Sequence, residues 1–376
     1  MFMGKSAISA IALLLMVCQA VSAQSRQPLG HSCKPGIKIQ VAAPASIERS
    51  DTLELLILGD VMMHSGQLGR EFSGFLESLA PVLKSADFAA ANLEFSLGGE
   101  PYSGYPAFSA PDSIAFVLAE KCGIDIFLTA NNHILDRGAE GLARTLDVYS
   151  EIRERHGVEY TGCASDFADD LHTSPLTIFG KGISIALVNF TYGTNLGKGP
   201  GWPKVNYMNK ESVGEAMRKA KENGTDFIIA LPHWGTEYSL RHDDTQQEWA
   251  EWLVGQGADA VIGSHPHVVQ DTAHVDGKPI IYSTGNVVSN MSAKNTRLGT
   301  AVLLRFVNSS SSGTKTMLEP ELLFTWCCLP GMLSDNYSTI FAKEWATRRN
   351  EWLTPSDFDN MVTTLERVRA ATGISD

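Results

Sequence analysis

Ile262-Gly263-Ser264-His265-Pro266-His267 is the stretch on which the reading of this chain turns. Ala258, Ala260, Val261 and Ile262 lead into it and Val268 and Val269 follow it. That pattern predicts a buried strand, a sharp loop and a new strand. Two imidazoles stand at the tip of the loop with one proline between them. Pro266 fixes its own φ and restricts His265, which holds the two rings in a defined relation. Neutral imidazole is the commonest protein ligand for a metal ion, although two loop histidines without a ligand look the same in isolation. The other apolar runs decide between these readings, because they end in residues of the same kind.

Working outward, Leu55-Leu56-Ile57-Leu58 is a continuous apolar run, buried on both faces, that ends in Gly59-Asp60. Phe72, Phe75, Leu76, Leu79 and Leu83 have helical spacing. Phe88 to Leu93 predicts a strand ending at Asn92-Leu93-Glu94. Gly98, Gly99, Pro101, Gly104, Pro106 and Pro111 mark an open loop long enough to overhang a site. Asp112 is placed to cap a helix through Phe116 and Leu118. Asp125 to Thr129 predicts a short strand that ends in Ala130-Asn131-Asn132-His133, with a helix from Gly138. Strands follow around 176–179 and 183–190, a helix over 211–222, and a strand over 227–231 that ends in Pro232-His233-Trp234-Gly235. A helix carrying Trp249, Trp252 and Leu253 returns the chain to the opening stretch. Beyond it, Val268–His274, Pro279–Ser283, Thr300–Val307 and Thr316–Phe324 predict strands, and Pro355-Ser356 begins a final helix. Strand and helix alternate first and strands dominate later. This predicts an α/β layered fold with polar residues gathered at strand C-terminal ends.

The chain has 376 residues, 44% hydrophobic and 19% charged, enough for a sizeable core. Its formal net charge of −12, with no long basic run, argues against a nucleic-acid partner, whose phosphates need clustered Lys and Arg. Lys5, the apolar Ile8–Val17 segment and the small-residue signal Val21-Ser22-Ala23 read as a signal peptide over residues 1–23. The chain is therefore expected in the periplasm or outside the cell, or anchored to the membrane by an uncleaved signal segment. Residues 24–52, rich in Pro, Ser, Gln and Ala, read as a linker or disordered arm. The five cysteines after the signal, Cys33, Cys122, Cys163, Cys327 and Cys328, are odd in number and lack CxxC spacing, so they are expected to fill core space or staple loops.

Asp60, Glu94, Asn132 with His133, His233, and His265 with His267 thus stand at the ends of five apolar runs. Parallel strand ends in an α/β sheet face the same side, so scattered positions converge there. Each residue also has a local explanation: Asp60 and Glu94 as helix caps, Asn132 as a turn residue, His233 as a satisfied core histidine. Together, two carboxylates, imidazoles and an amide oxygen suit one or two divalent metal ions such as Mn, Zn or Fe.

Gly59-Asp60-Val61-Met62-Met63-His64, Asn92-Leu93-Glu94, Asn131-Asn132-His133 with Asp136 and Gly138, His233-Trp234-Gly235-Thr236-Glu237-Tyr238, Gly263-Ser264-His265-Pro266-His267 and Tyr282-Ser283-Thr284-Gly285-Asn286 occur in that order. As a set they resemble the motifs of the CapA family of poly-γ-glutamate capsule-synthesis proteins, which is similar to a branch of the calcineurin-like metallophosphatases. The resemblance covers a domain over residues 53–308 and leaves 309–376 as a C-terminal extension with a terminal helix. It implies a layered metallophosphatase-like fold: central mixed sheets flanked by helices, with a strand-rich C-terminal part.

The resemblance also implies roles. Asp60 and His267 would serve one metal ion, Asn132, His233 and His265 another, and Glu94 would bridge them, with a metal-generated hydroxide as nucleophile. His133 would act beside the substrate as acid or oxyanion partner, oriented by Asp136. The wider superfamily has a histidine two residues after the first aspartate. Here that position is Met62, and His64 either takes its place or lines the pocket. His64, Glu237, Tyr238, Tyr282 and Asn286 are candidate substrate contacts; for the last four the alternative is support of the ligands or strand packing. Tyr105, Tyr192 and Trp202 either line a groove for a polymer or cover the sheet edge. The implied function is metal-dependent work on poly-γ-glutamate or a related capsule or cell-envelope polymer, in its synthesis, release or cleavage. Two alternatives stand beside it: a stand-alone hydrolase of a phosphoester or amide, and a non-enzymatic accessory subunit of a membrane polymer synthase.

Overall fold

The computed structural model describes residues 51–199, 201–309 and 312–374. The expected signal segment and nearly all of the expected arm lie outside these residues, and Thr52 already belongs to the first strand. In chain order the first strands are β1 (Thr52–Val61), β2 (Phe88–Leu93), β3 (Ile126–Leu128), β4 (Glu159–Thr161), β5 (Cys163–Ala164), β6 (Leu176–Gly180), β7 (Ile183–Thr191), β8 (Lys204–Val205) and β9 (Phe227–His233). They continue with β10 (Ala260–Ile262), β11 (Thr272–Val275), β12 (Lys278–Ile281), β13 (Asn286–Val288), β14 (Leu298–Ser309), β15 (Thr314–Met317), β16 (Glu321–Cys328) and β17 (Ser338–Phe341).

Two mixed sheets carry the architecture. A nine-stranded sheet has the order β17-β16-β14-β1-β2-β3-β4, with β13 beside β1 and β15 beside β14; a six-stranded sheet has the order β11-β12-β10-β9-β7-β6. β1 to β4 run parallel, as do β7, β9, β10 and β12. The continuous apolar character of β1 follows from its position between two cores. Leu53, Leu55 and Ile57 pack with Ile185, Leu187, Ile229 and Leu231 of the second sheet. Leu56 and Leu58 point the other way, to Leu142, Leu146, Tyr149 and Ile152 of the helix Gly138–His156. On the outer face of the second sheet, Val188, Ala230 and Val261 meet Val213 and Met217 of the helix Lys210–Glu222 and Trp249 and Leu253 of the helix Asp244–Gly255. The layers are therefore helix, sheet, sheet, helix. Each large apolar side chain so buried contributes about 1.5–3 kcal/mol relative to an exposed one.

The stretch after Asn308 supplies β16 and β17, which extend the larger sheet beyond β14. The helix Pro355–Thr372 covers them through Phe358, Met361, Leu365 and Val368, packed with Phe324 and Trp326. Among the described residues no helix is long and apolar enough to cross a membrane. Cys122, Cys163, Cys327 and Cys328 are buried free thiols that fill core space.

Several local expectations change. The helical spacing from Phe72 to Leu83 yields only a 3-10 turn at Phe72–Phe75 and a short helix at Ala80–Leu83. Gly74 and Pro81 interrupt the run. Asp112 makes no cap bond; its carboxylate is held instead by Arg144 at 2.7 and 2.8 Å. Val268 and Val269 are fully buried but belong to no strand, and the new strand begins only at Thr272. Thr316–Phe324 divides between β15 and β16.

Candidate metal centre

The C-terminal ends of β1, β2 and β3 meet those of β9 and β10 at one edge of the paired sheets. Close backbone approach makes this possible. A Cβ on Gly59 would lie 1.9 Å from the Gly285 carbonyl oxygen, and one on Gly263 would lie 2.2 Å from the Tyr282 carbonyl oxygen. In place of those clashes, Asp60 N–H donates to Gly285 at 3.0 Å and Gly263 N–H donates to Ile281 at 2.8 Å. Asp60, Glu94, Asn132, His133, His233, His265 and His267 are all buried at this edge.

Among the described residues, ligand-type atoms within 4.8 Å of one another form three overlapping groups: Asp60, Glu94 and His267; Glu94, His233 and His265; Glu237, His265 and His267. Glu94 belongs to two of them and sits between His233 Nε2 at 3.6 Å and His267 Nε2 at 3.7 Å. His233 Nε2 also lies 2.8 Å from Asn132 Oδ1, while its Nδ1 meets Ser264 Oγ at 2.9 Å. His267 is oriented from behind. The Asn286 amide nitrogen donates to the His267 and Thr296 carbonyls, so Asn286 Oδ1 faces His267 Nδ1 at 3.0 Å. His267 therefore carries its proton on Nδ1 and turns the Nε2 lone pair toward Glu94. Asp60 accepts from Asn92 Nδ2 at 2.7 Å and from His265 N–H at 3.3 Å.

Electrostatics and satisfaction together test whether these residues fit a cation. Both oxygens of Glu94 and Nδ1 of His265 are buried without a hydrogen-bond partner. Burial, then the charges of Asp60 and Glu237, hold the Glu94 carboxyl well above the usual carboxylate range. Burial, then His265 and His267, hold His233 well below the usual imidazole range, and burial pushes His265 down to about 3. Imidazoles that burial keeps neutral at His233 and His265, with His265 Nδ1 and both Glu94 oxygens unpartnered, form a set that a divalent cation would satisfy. The loop backbone is fixed at some cost: His265 has φ 99° and His267 φ 57°. Non-glycine residues in this region cost about 1–3 kcal/mol each, a strain that clusters at functional sites.

Beside the cluster, His133 Nδ1 meets Asp136 Oδ2 at 2.6 Å, and the same oxygen accepts from Phe108 N–H at 2.7 Å. Phe108 packs edge-on against both His133 and His64, with ring centroids 4.6 and 5.1 Å apart. His64 belongs to none of the three groups. Its Nδ1 lies 3.2 Å from Gln67 Oε1, and burial lowers its pKa to about 4.

For two candidate substrate contacts the surroundings match the alternative reading, strand packing or support of the ligands. Tyr282 is only 1% exposed; its ring stacks on His242 with centroids 4.0 Å apart, and its carbonyl accepts from Trp234 Nε1. Asn286 is fully buried and positions His267. Glu237 and Tyr238 are exposed at the mouth, with the Tyr238 ring 6.3 Å from His267. Tyr192, Tyr105 and Trp202 are all exposed, and the Tyr192 ring lies 4.6 Å from that of His265.

Sequence reasoning missed Asn92, which ties Asp60 to the cluster, and Ser264 and Asn195. Asn92 lies two residues before Glu94, a spacing that places both on one side of a strand, and that alternation was the available signal. Ser264 stood inside the opening stretch. Asn195, whose side chain reaches His133 and Asn132, lies in an aperiodic loop with no signal.

A family profile described as "Bacterial capsule synthesis protein PGA_cap" matches residues 54–291. The chain belongs to that family. It is 26% identical over 269 residues to "Capsule biosynthesis protein CapA" of Bacillus anthracis, covering 67% of this chain and 63% of the relative. It is 24% identical over 265 residues to "PGA biosynthesis protein CapA" of Bacillus subtilis (strain 168), covering 66% of each. The chain thus spans somewhat less than two thirds of these capsule-synthesis relatives. Among solved structures it is similar to the calcineurin-like phosphoesterase YfkN from Bacillus subtilis, at 15% identity and a TM-score of 0.43, covering 85% of this chain and 99% of that one.

Proposed function

We propose that this chain is an exported, metal-dependent, hydrolase-like protein that acts on poly-γ-glutamate or a related cell-envelope polymer, in its synthesis, release or cleavage. The observation that carries the metal-dependent chemistry is the buried Glu94 carboxyl, without a hydrogen-bond partner and set between His233 and His267. The family description and the relatives' names support the polymer, and the signal-like N-terminus supports export.

Asp60, Glu94, His233, His265, His267 and the Asn132 amide oxygen would hold one or two divalent ions such as Mn, Zn or Fe. When bound, such an ion polarises a carbonyl or phosphoryl oxygen and acidifies water. None of these residues is Lys or Arg, so a bound cation would supply the counter-charge for Asp60 and for an ionised Glu94. Asp136, itself fixed by Phe108 N–H, holds the proton of His133 on Nδ1. That leaves His133 Nε2 to exchange a proton with a leaving group or oxyanion. Asn286 and Ser264 keep His267 and His233 in register.

The test is turnover of γ-glutamyl amide, phosphomonoester and phosphodiester substrates with Mn or Zn. Cleavage of the γ-glutamyl amide, lost on chelation, is expected. Cleavage of a phosphoester alone would move the substrate class. No turnover on any would remove the hydrolase reading and leave an accessory role in polymer assembly.

A further inference from the structure

We infer that Glu237 is a metal ligand, supplying a carboxylate from the solvent side to the cation position that His265 and His267 share. This rests on the metal reading proposed above and adds a residue to it. Three observations meet at this point. The carboxylate of Glu237 lies within 4.8 Å of ligand atoms on both imidazoles, so one ion reaches all three. His265, only 3% exposed, keeps a buried Nδ1 with no partner. Among the described residues no Lys or Arg forms an ion pair with Glu237, which leaves its charge available.

The backbone supports the same arrangement. Tyr238, next to Glu237, has φ 65°, and it faces His265 at φ 99° and His267 at φ 57°. Half of the six positive-φ residues other than glycine among the described residues therefore lie on these two loops. The loops are tied by Tyr238 N–H, which donates to the Pro266 carbonyl at 2.8 Å. That bond keeps the strained loops, and with them the three ligand-type side chains, in register. Neutral imidazoles bring lone pairs but no charge. A carboxylate adds the charge that these imidazoles lack, and on the open side Glu237 is the one within reach.

The experiment titrates the metal-stripped full chain with Co2+ and reads affinity and the visible absorption of the bound ion. Glu237→Gln is compared with wild type and with Glu248→Gln, which removes another exposed acid, one paired with Lys210, on the helix Asp244–Gly255. The expected result is affinity lowered about tenfold or more in Glu237→Gln, with a changed absorption band, while Glu248→Gln matches wild type. A Glu237→Gln chain with wild-type affinity and spectrum overturns this inference and leaves the Glu94 centre standing. An equal loss in both variants also overturns it, because distant charge alone then accounts for the effect. A wild-type chain that binds no Co2+ overturns both readings.

Discussion

His133 and His265 are similarly buried, at 6% and 3% exposure, yet their surroundings differ. His133 Nδ1 is held by Asp136 at 2.6 Å, and Asp136 is held in turn by a backbone N–H. His265 Nδ1 has no partner, and neither do the two oxygens of Glu94. A buried polar atom left unsatisfied costs about 1–3 kcal/mol. Folding by itself thus completes the His133–Asp136 pair, whereas a cation would supply the interactions that the acid–imidazole cluster lacks. On the proposed reading, the contrast separates a part that would handle protons from a part that would hold a cation, and each can be altered without the other.

The largest expected effect falls on the completed pair. His133→Ala should lower turnover by about 10²- to 10⁴-fold while metal content stays at the wild-type level. A variant that loses metal along with activity would merge the two parts and break the comparison. Next comes the incomplete cluster. Bound at a hundred times its Kd, a cation stabilises the fold by about 2.7 kcal/mol, so chelation should lower the Tm of wild type. Glu94→Gln should show little further drop, because the variant binds the ion poorly from the start. Thermal unfolding with and without chelator measures this, and a wild-type Tm indifferent to chelation would count against the cluster.

A smaller effect should follow removal of Asn286, which touches His267 only from behind. Asn286→Ala should weaken metal binding about 10- to 100-fold, as read by titration, whereas His64→Ala should leave it unchanged. Equal losses from the two variants would give His64 a part in holding the ion. The smallest effect belongs to an ordinary imidazole–carboxylate contact on the surface, His172 with Glu159 at 2.9 Å. The hydrogen bond to the Glu159 carboxylate raises the His172 pKa. Its contribution is therefore fully present below the unfolded-state pKa of about 6.5 and is lost as pH rises through the raised folded value. Because the pair is half exposed, His172→Gln should cost no more than about 1 kcal/mol at pH 5.5 and nothing measurable near pH 9, by denaturant titration.

Much of this arrangement was legible in the sequence because burial leaves a periodic trace. The apolar run at Leu55–Leu58 predicted a strand covered on both faces, and both cores use it. Strand-end positions brought Asp60, Glu94, Asn132, His233, His265 and His267 to one edge. Apolar spacing reports burial rather than conformation, which is why Phe72–Leu83 read as one helix and Val268-Val269 as a strand. The direction of a side chain at a strand end is harder still. Tyr282 and Asn286 stand in one motif four residues apart, yet the first turns to His242 and the second to His267. Asn195 reaches His133 from a loop, and no sequence period marks such a contact.

The central claim is that the cluster is built to hold a cation, and metal content tests it most directly. Purified full chain, equilibrated with Mn or Zn and freed of excess ion, should retain one or two equivalents. His265→Ala combined with His267→Ala should retain at least one fewer. A wild-type chain that retains none, or a double variant that retains as much as wild type, would contradict the account.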